Sequence, residues 1–215
     1  RNVYRMCSWT LQEKTVNIAL MKKILALVVL GLLFSEKVYA ACSKASGDIS
    51  GTSSGSPHTT TYSCADNNTF VLDADEYMSG DPARITATAD NITINNSGNL
   101  LATGGGNVIT SGAYDTVTLT NQSTGVIKGN TNGIFLGAGD AWEIDNYGDI
   151  YGVSAKAVNI RGGDNTQITN RSGAKIRTDG VNAVYMQDSS GSNASETLTL
   201  DNYGTISGKA NTVII

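Results

Sequence analysis

"EIDNYGDIYG" occupies Glu143–Gly152, and "TLDNYGTISG" occupies Thr199–Gly208. The shared phrase places Asn, Gly and Ile at fixed positions and holds no obvious catalytic group. Its asparagine recurs at Asn96, Asn121, Asn146, Asn170 and Asn202, with intervals of 25, 25, 24 and 32 residues. Two positions before each anchor stands an apolar residue: Ile94, Leu119, Ile144, Ile168 and Leu200. Four positions before it stand Ile92, Val117, Trp142, Thr166 and Leu198, with Thr166 the polar exception. Apolar residues at every second position predict a strand with one buried face.

After each anchor comes a glycine (Gly98, Gly125, Gly148, Gly173, Gly204) and then a second apolar position at Leu100, Ile127, Ile150, Ile176 and Ile206. Asn and Gly close together predict a turn, because both tolerate positive φ. A third strand is expected at 133–137, 157–161, 183–187 and in the terminal "TVII". There Ile134 and Leu136, Val158 and Ile160, Val184 and Met186, and Val213 and Ile215 share one face, while Phe135, Asn159, Tyr185 and Ile214 point the other way.

Three short strands cannot bury their own apolar row, but stacked copies at ~4.8 Å can. The expected fold is therefore all-β: a parallel β-helix, or β-solenoid, of about five coils of 24–25 residues. The right hand is the favoured one for parallel crossovers. A β-sandwich also uses short alternating strands, but it does not demand the same residue class at the same phase every turn. The 32-residue interval fits the solenoid, since its extra six residues fall in "DSSGSNASET", between strands. The five anchor asparagines are expected to form a ladder, each amide bonding to the coils on either side.

The flanks read differently. The chain opens on Arg1, and residues 1–20 read as an upstream extension that is not part of the native protein. From Met21, "MKKILALVVLGLLF" sets two lysines before an apolar run of 11 residues, Ile24 to Phe34. A membrane span takes ~20 apolar residues, so 21–40 reads as a secretory signal peptide cut between Ala40 and Ala41. Residues 41–84 lack the repeat and are expected to cap the solenoid, since an uncovered first coil is a sticky edge. The repeats fill 85–215, and stopping in mid-strand reads as a truncation. From Ala41 onward 17 acidic residues face 9 basic ones, a balance of −8. An acidic surface without basic clusters argues against nucleic-acid partners and against docking on an anionic membrane. In an exported chain Cys42 and Cys64 suggest a disulfide. Lipidation of Cys42 in "YAAC" is the rival reading, weakened by Tyr39 where Leu is wanted.

With the signal peptide followed by "LTNQSTGVIKG", "IDNYGDIYG" and "LDNYGTISG", the region Ile85–Ile215 resembles the β-helical passenger domain of autotransporters, the secreted adhesins and enzymes of Gram-negative bacteria. The resemblance implies Sec export and a C-terminal outer-membrane β-barrel, which this sequence does not contain. Such motifs identify an architecture rather than an activity.

Candidate chemistry is thin. "GTSSG" at 51–55 matches a nucleophile elbow with Ser53 at its centre, but the flanks lack the buried strand and the helix an elbow needs. The single histidine, His58, lies in the same loop. Asp73, Asp75 and Glu76 offer too few ligands for a calcium loop, and "GGDN" at 162–165 is one copy of a motif that binds calcium in tandem arrays. Outward Asp145 and Asp201 match Asn95, Thr120 and Thr169 in other coils, so no carboxylate pair stacks on adjacent coils as glycoside hydrolysis requires. Tyr147, Tyr203, Tyr151 and Tyr185 are candidates to stack on sugars, with turn packing as the plainer account. Sequons at Asn91 and Asn193 are expected in so Asn- and Thr-rich a chain. The expected function is a structural and adhesive surface module with no catalysis in this segment, no cofactor and no metal. Its partners would be surface glycans or proteins. The alternative is an exported polysaccharide-acting β-helix whose active coils lie elsewhere.

Overall fold

A computed structural model of the chain describes residues 40–41, 43–44, 61–80, 85–137, 139–163, 165–187 and 197–214. All of them belong to the unit Tyr39–Ile215. The expected signal peptide, residues 21–39 of it, and the upstream extension lie outside the described residues, as do Cys42, Ser53, His58 and Ile215. Among the described residues every regular element is a strand, and no helix is long and apolar enough to cross a membrane.

The strands form three parallel sheets that share one interior, so the protein is a β-solenoid. Along the chain the strands visit the third sheet, then the first, which holds the anchors, then the second, in a repeating cycle. The first sheet stacks Asn68–Leu72, Ile92–Asn96, Val117–Asn121, Glu143–Asn146, Thr166–Asn170 and Leu198–Asn202. Its inward column runs Phe70, Ile94, Leu119, Ile144, Ile168 and Leu200 without a slip. The second sheet contributes the column Met78, Leu100, Ile127, Ile150, Ile176 and Ile206. Tyr62, Ile85, Ile109, Ile134, Val158, Val184 and Val213 align in the third. Parallel in-register pairing forces like residues onto like, and the β-branched side chains fill the tube. Burying one Ile or Leu contributes roughly 1.5–3 kcal/mol.

There are six windings rather than five. The additional one is formed by Tyr62–Cys64, Asn68–Leu72 and Tyr77–Gly80, inside the region expected to be a cap. Leu72 occupies its anchor position, paired with Asn96, so a pattern keyed on asparagine does not find it. Its filling is also different, with the Tyr62 ring edge-on to Phe70 at 5.2 Å. Beyond it, Ala40–Ala41 pairs parallel with Asn68 and Thr69, so the expected cleavage point falls within a short strand. Ser43–Lys44 runs antiparallel to Tyr62 and Ser63. That is the sole antiparallel pairing among the described residues.

The long interval leaves the register intact. Met186 pairs with Ile160, and Leu200 pairs with Ile168, although 14 residues separate Met186 from Leu200. Residues 188–196, which hold most of the insertion, lie outside the described ones.

The turn chemistry departs from expectation. Of the glycines that follow the anchors, Gly173 alone has positive φ, at 83°. The others are required by close approach. A Cβ on Gly148 would stand 2.2 Å from the Gly125 carbonyl oxygen, and one on Gly125 would stand 2.5 Å from that of Asn96. Positive φ instead recurs at the opposite corner, five residues before each anchor position: Asn67, Asn91, Thr116, Ala141 and Asn165, all at 56–59°. Non-glycine residues pay about 1–2 kcal/mol for this conformation, and Asn tolerates it best. Before these residues stands a column of aspartates. The Asp90 N–H donates to Asp66 Oδ1, that of Asp115 to Asp90, and that of Asp140 to Asp115, at 2.8–3.1 Å.

Candidate functional site

With the interior filled, whatever this protein contacts must meet its corners and outer faces. The asparagine corner is the best ordered of them. Asn96, Asn121, Asn146 and Asn170 are fully buried. Each donates its Nδ2 to the Oδ1 of the next anchor, ending on Asn202, at 2.8–2.9 Å. Asn96 Oδ1 has no partner, because the preceding winding offers Leu72, which has no donor.

The residue after each anchor projects outward, giving the column Ser97, Gln122, Tyr147, Arg171 and Tyr203. The backbone N–H groups of the last four donate to the carbonyls of Asn96, Asn121, Asn146 and Asn170 at 2.7–2.8 Å, so consecutive members sit one coil apart. Arg171 Nε and Nη2 donate to the two carboxylate oxygens of Asp145 at 2.6 and 2.9 Å. Its guanidinium lies 5.4 Å from the Tyr147 ring centroid. The Asp145 hydrogen bond raises the Arg171 guanidinium above its ordinary range. Tyr147 and Tyr203 are nonetheless 40% and 67% exposed.

The other two sheets carry similar cation and ring pairs. Arg177 forms a bidentate bridge with Asp149 at 2.6–3.1 Å and lies 4.1 Å from the Tyr151 ring centroid, with Lys128 at 5.4 Å from the same ring. Tyr151 donates its hydroxyl to Asp179, and that bond, helped by burial, raises the phenol above its usual value. Beside it an open groove of about 440 Å³ is lined by Thr178, Asp179, Ser207, Gly208 and Lys209. On the third sheet Arg161 lies 5.3 Å from the Phe135 ring and Lys156 lies 4.6 Å from that of Tyr185. Asn159 aligns between Phe135 and Tyr185. It is only 4% exposed, and its Oδ1 has no partner.

Other expected residues fall as follows. Cys64 is disulfide-bonded, and Cys42, its expected partner, lies outside the described residues. Asp73 and Glu76 close a turn: the Asp73 N–H donates to Glu76 Oε2 at 2.8 Å, and the Glu76 N–H donates to the Asp73 carbonyl at 3.0 Å. In "GGDN", Gly162 and Gly163 take φ of 80° and 123°, and Asp164 lies outside the described residues. Asp145 and Asp201 share a column with Thr169 between them, and Asp145 is engaged by Arg171. Among the described residues no three His, Cys, Asp or Glu side chains converge on a metal position.

Two columns escaped the sequence reading. One is the aspartate column, signalled by "DN" at 66–67 and 90–91, "DT" at 115–116 and "DA" at 140–141. The other is a second asparagine column at the start of the third sheet: Asn107, Asn132, Lys156, Asn182 and Asn211. Asn132 Nδ2 donates to Asn107 Oδ1 at 2.8 Å, and its own Oδ1 accepts the Lys156 N–H at 3.1 Å. Lys156 pairs with Asn182, and Asn182 with Asn211.

No protein-family model, no curated protein and no solved structure matches this chain.

Proposed function

We propose that this chain is a structural and adhesive rod segment of an exported, autotransporter-type surface protein, with no catalysis in the segment. The observation that carries this reading is the division of labour between inside and outside. Three unbroken inward columns of apolar residues make a stiff tube, whereas the cationic residues and Tyr147, Tyr151, Tyr185 and Tyr203 stand on its outer faces and corners. Residues 21–40 and the repeat phrases support export and the autotransporter resemblance. The acidic balance, with no Lys or Arg among the described residues between Thr61 and Ile127, supports a glycan or protein partner over nucleic acid or an anionic membrane.

The test is expression of the full chain in a Gram-negative host, followed by fractionation and N-terminal sequencing. The expected product begins at Ala41 and leaves the cytoplasm, and beads coated with it adhere to glycan-bearing surfaces. An uncut product retained in the cytoplasm overturns the export reading. Exported protein whose beads do not adhere overturns the adhesive one.

A further inference from the structure

The geometry points to a specific ligand for the asparagine corner: we infer that Tyr147, Arg171 and Tyr203 form a linear binding site for a neutral, extended β-linked hexose chain lying along the solenoid axis. The inference deepens the adhesive reading above and rests on it for its biological setting.

The argument begins with exposure. Tyr147 stands open to solvent with Arg171 beside its ring, and Tyr203 holds the same outward position two windings on. A pyranose ring has an apolar face of C–H groups and a rim of hydroxyls. A phenol ring presents a matching apolar face, and its amphipathic character suits an interface that is dry on one side and wet on the other. Arg171 lies between the two tyrosines in the column. Its guanidinium is fixed by the bidentate Asp145 bridge, which uses two of its five N–H donors and leaves the others for hydroxyl oxygens. Being already held, it loses little freedom when a ligand arrives.

Spacing selects the shape of the ligand. Tyr147 and Tyr203 are two windings apart, ~9.6 Å at the coil rise of a parallel sheet. An extended β-linked hexose chain advances by about one coil rise per sugar. Its first and third rings would therefore stack on the two tyrosines while the second lies over Arg171. A coiled glucan cannot keep that phase.

Charge selects the class. The Arg171 cation is neutralised by Asp145, and Asp201 follows in the column beside it. The strip offers no net positive charge to a polyanion, and the remainder of the chain is acidic. A neutral chain is favoured over a uronate polymer.

The test uses the purified full chain and cellohexaose, followed by calorimetry and by NMR of the tyrosine rings. Cellohexaose is expected to bind, cellobiose to bind more weakly, and polygalacturonate and the coiled β-1,3-glucan laminarin to bind less than cellohexaose. Tyr147→Ala and Tyr203→Ala are each expected to weaken binding at least about tenfold, the effect of losing a central aromatic contact. Both side chains are exposed, so circular dichroism and the unfolding midpoint should not move. Tyr185→Ala, on the third sheet, should bind as the parent does. The proposal is overturned if cellohexaose does not bind, if either corner variant binds as tightly as the parent, or if polygalacturonate or laminarin binds as tightly as cellohexaose. These measurements on purified protein do not depend on where the protein resides, so failure of the export reading leaves a distinct signature.

Discussion

Two corners of this solenoid are built from asparagine columns, and they differ in one residue. At the corner between the first and second sheets the column is unbroken from Asn96 to Asn202, and each amide hands its hydrogen bond to the next. At the corner between the second and third sheets, Lys156 stands where the third of five asparagines would be. The backbone of Lys156 still serves Asn132, but its side chain turns outward to the Tyr185 ring. Asn182 has a buried Oδ1 with no partner; in the direction in which Asn132 donates to Asn107, its donor would come from Asn211, on the side away from Lys156. The difference teaches that a ladder is only as satisfied as its neighbours allow: a buried amide needs a donor or acceptor one coil rise away.

Breaking the complete column should have the largest effect. Asn146 donates to Asn170 Oδ1 and to the Gly148 and Lys175 carbonyls, and accepts from Asn121 and the Gly148 N–H. Asn146→Ala removes all of these and leaves buried partners bare on both sides. Each stranded group costs about 1–3 kcal/mol, so a loss of at least ~3 kcal/mol is expected in urea unfolding. A loss below ~1 kcal/mol would mean that water replaces the ladder and that the columns contribute little.

A smaller, opposite effect is expected at the third corner. Thr116 holds φ of 58°, the conformation that Asn91 and Asn165 hold in equivalent places. Thr116→Asn should raise stability by about 1 kcal/mol, since a β-branched residue is strained there. A decrease would show that the Thr116 side chain makes a contribution outweighing the strain.

The mildest change mends the broken column. Lys156→Asn gives Asn182 a neighbouring amide but removes the cation from the Tyr185 ring, an exposed contact of ~0.5–1 kcal/mol. A net gain within about 1 kcal/mol is expected, with the same substitution in an Asn182→Ala background giving no gain. Equal effects in both backgrounds would show that positions 156 and 182 are not coupled.

The sequence by itself determined the architecture. A residue of the same class returning at the same phase requires that coils lie in register, and the period-two alternation on either side of the anchors leaves one face for the inside. Ile94, Leu119, Ile144, Ile168 and Leu200 could be set in one column from spacing alone, and so could the five-membered asparagine ladder. The first winding was not legible, because its anchor position holds Leu72 and its core is filled by Tyr62, Phe70 and Met78 in place of isoleucine. Nor was the left-handed corner: Asn67, Asn91, Thr116, Ala141 and Asn165 share a conformation but not a residue type, so composition hides what the backbone repeats. The anchor glycines were visible as residues and misjudged as to cause.

The candidate site divides along the same line. Tyr147 and Tyr203 were evident as recurring letters, and their alternation with Arg171 could have been read from the anchor phase. That Arg171 is locked by Asp145, 26 residues away, depends on how two windings settle against each other. Hydrophobic periodicity is a local, additive property that survives in the order of residues. Which side chains face one another across coils, and which polar atoms are satisfied, depends on packing between distant segments, and only the tertiary structure decides it.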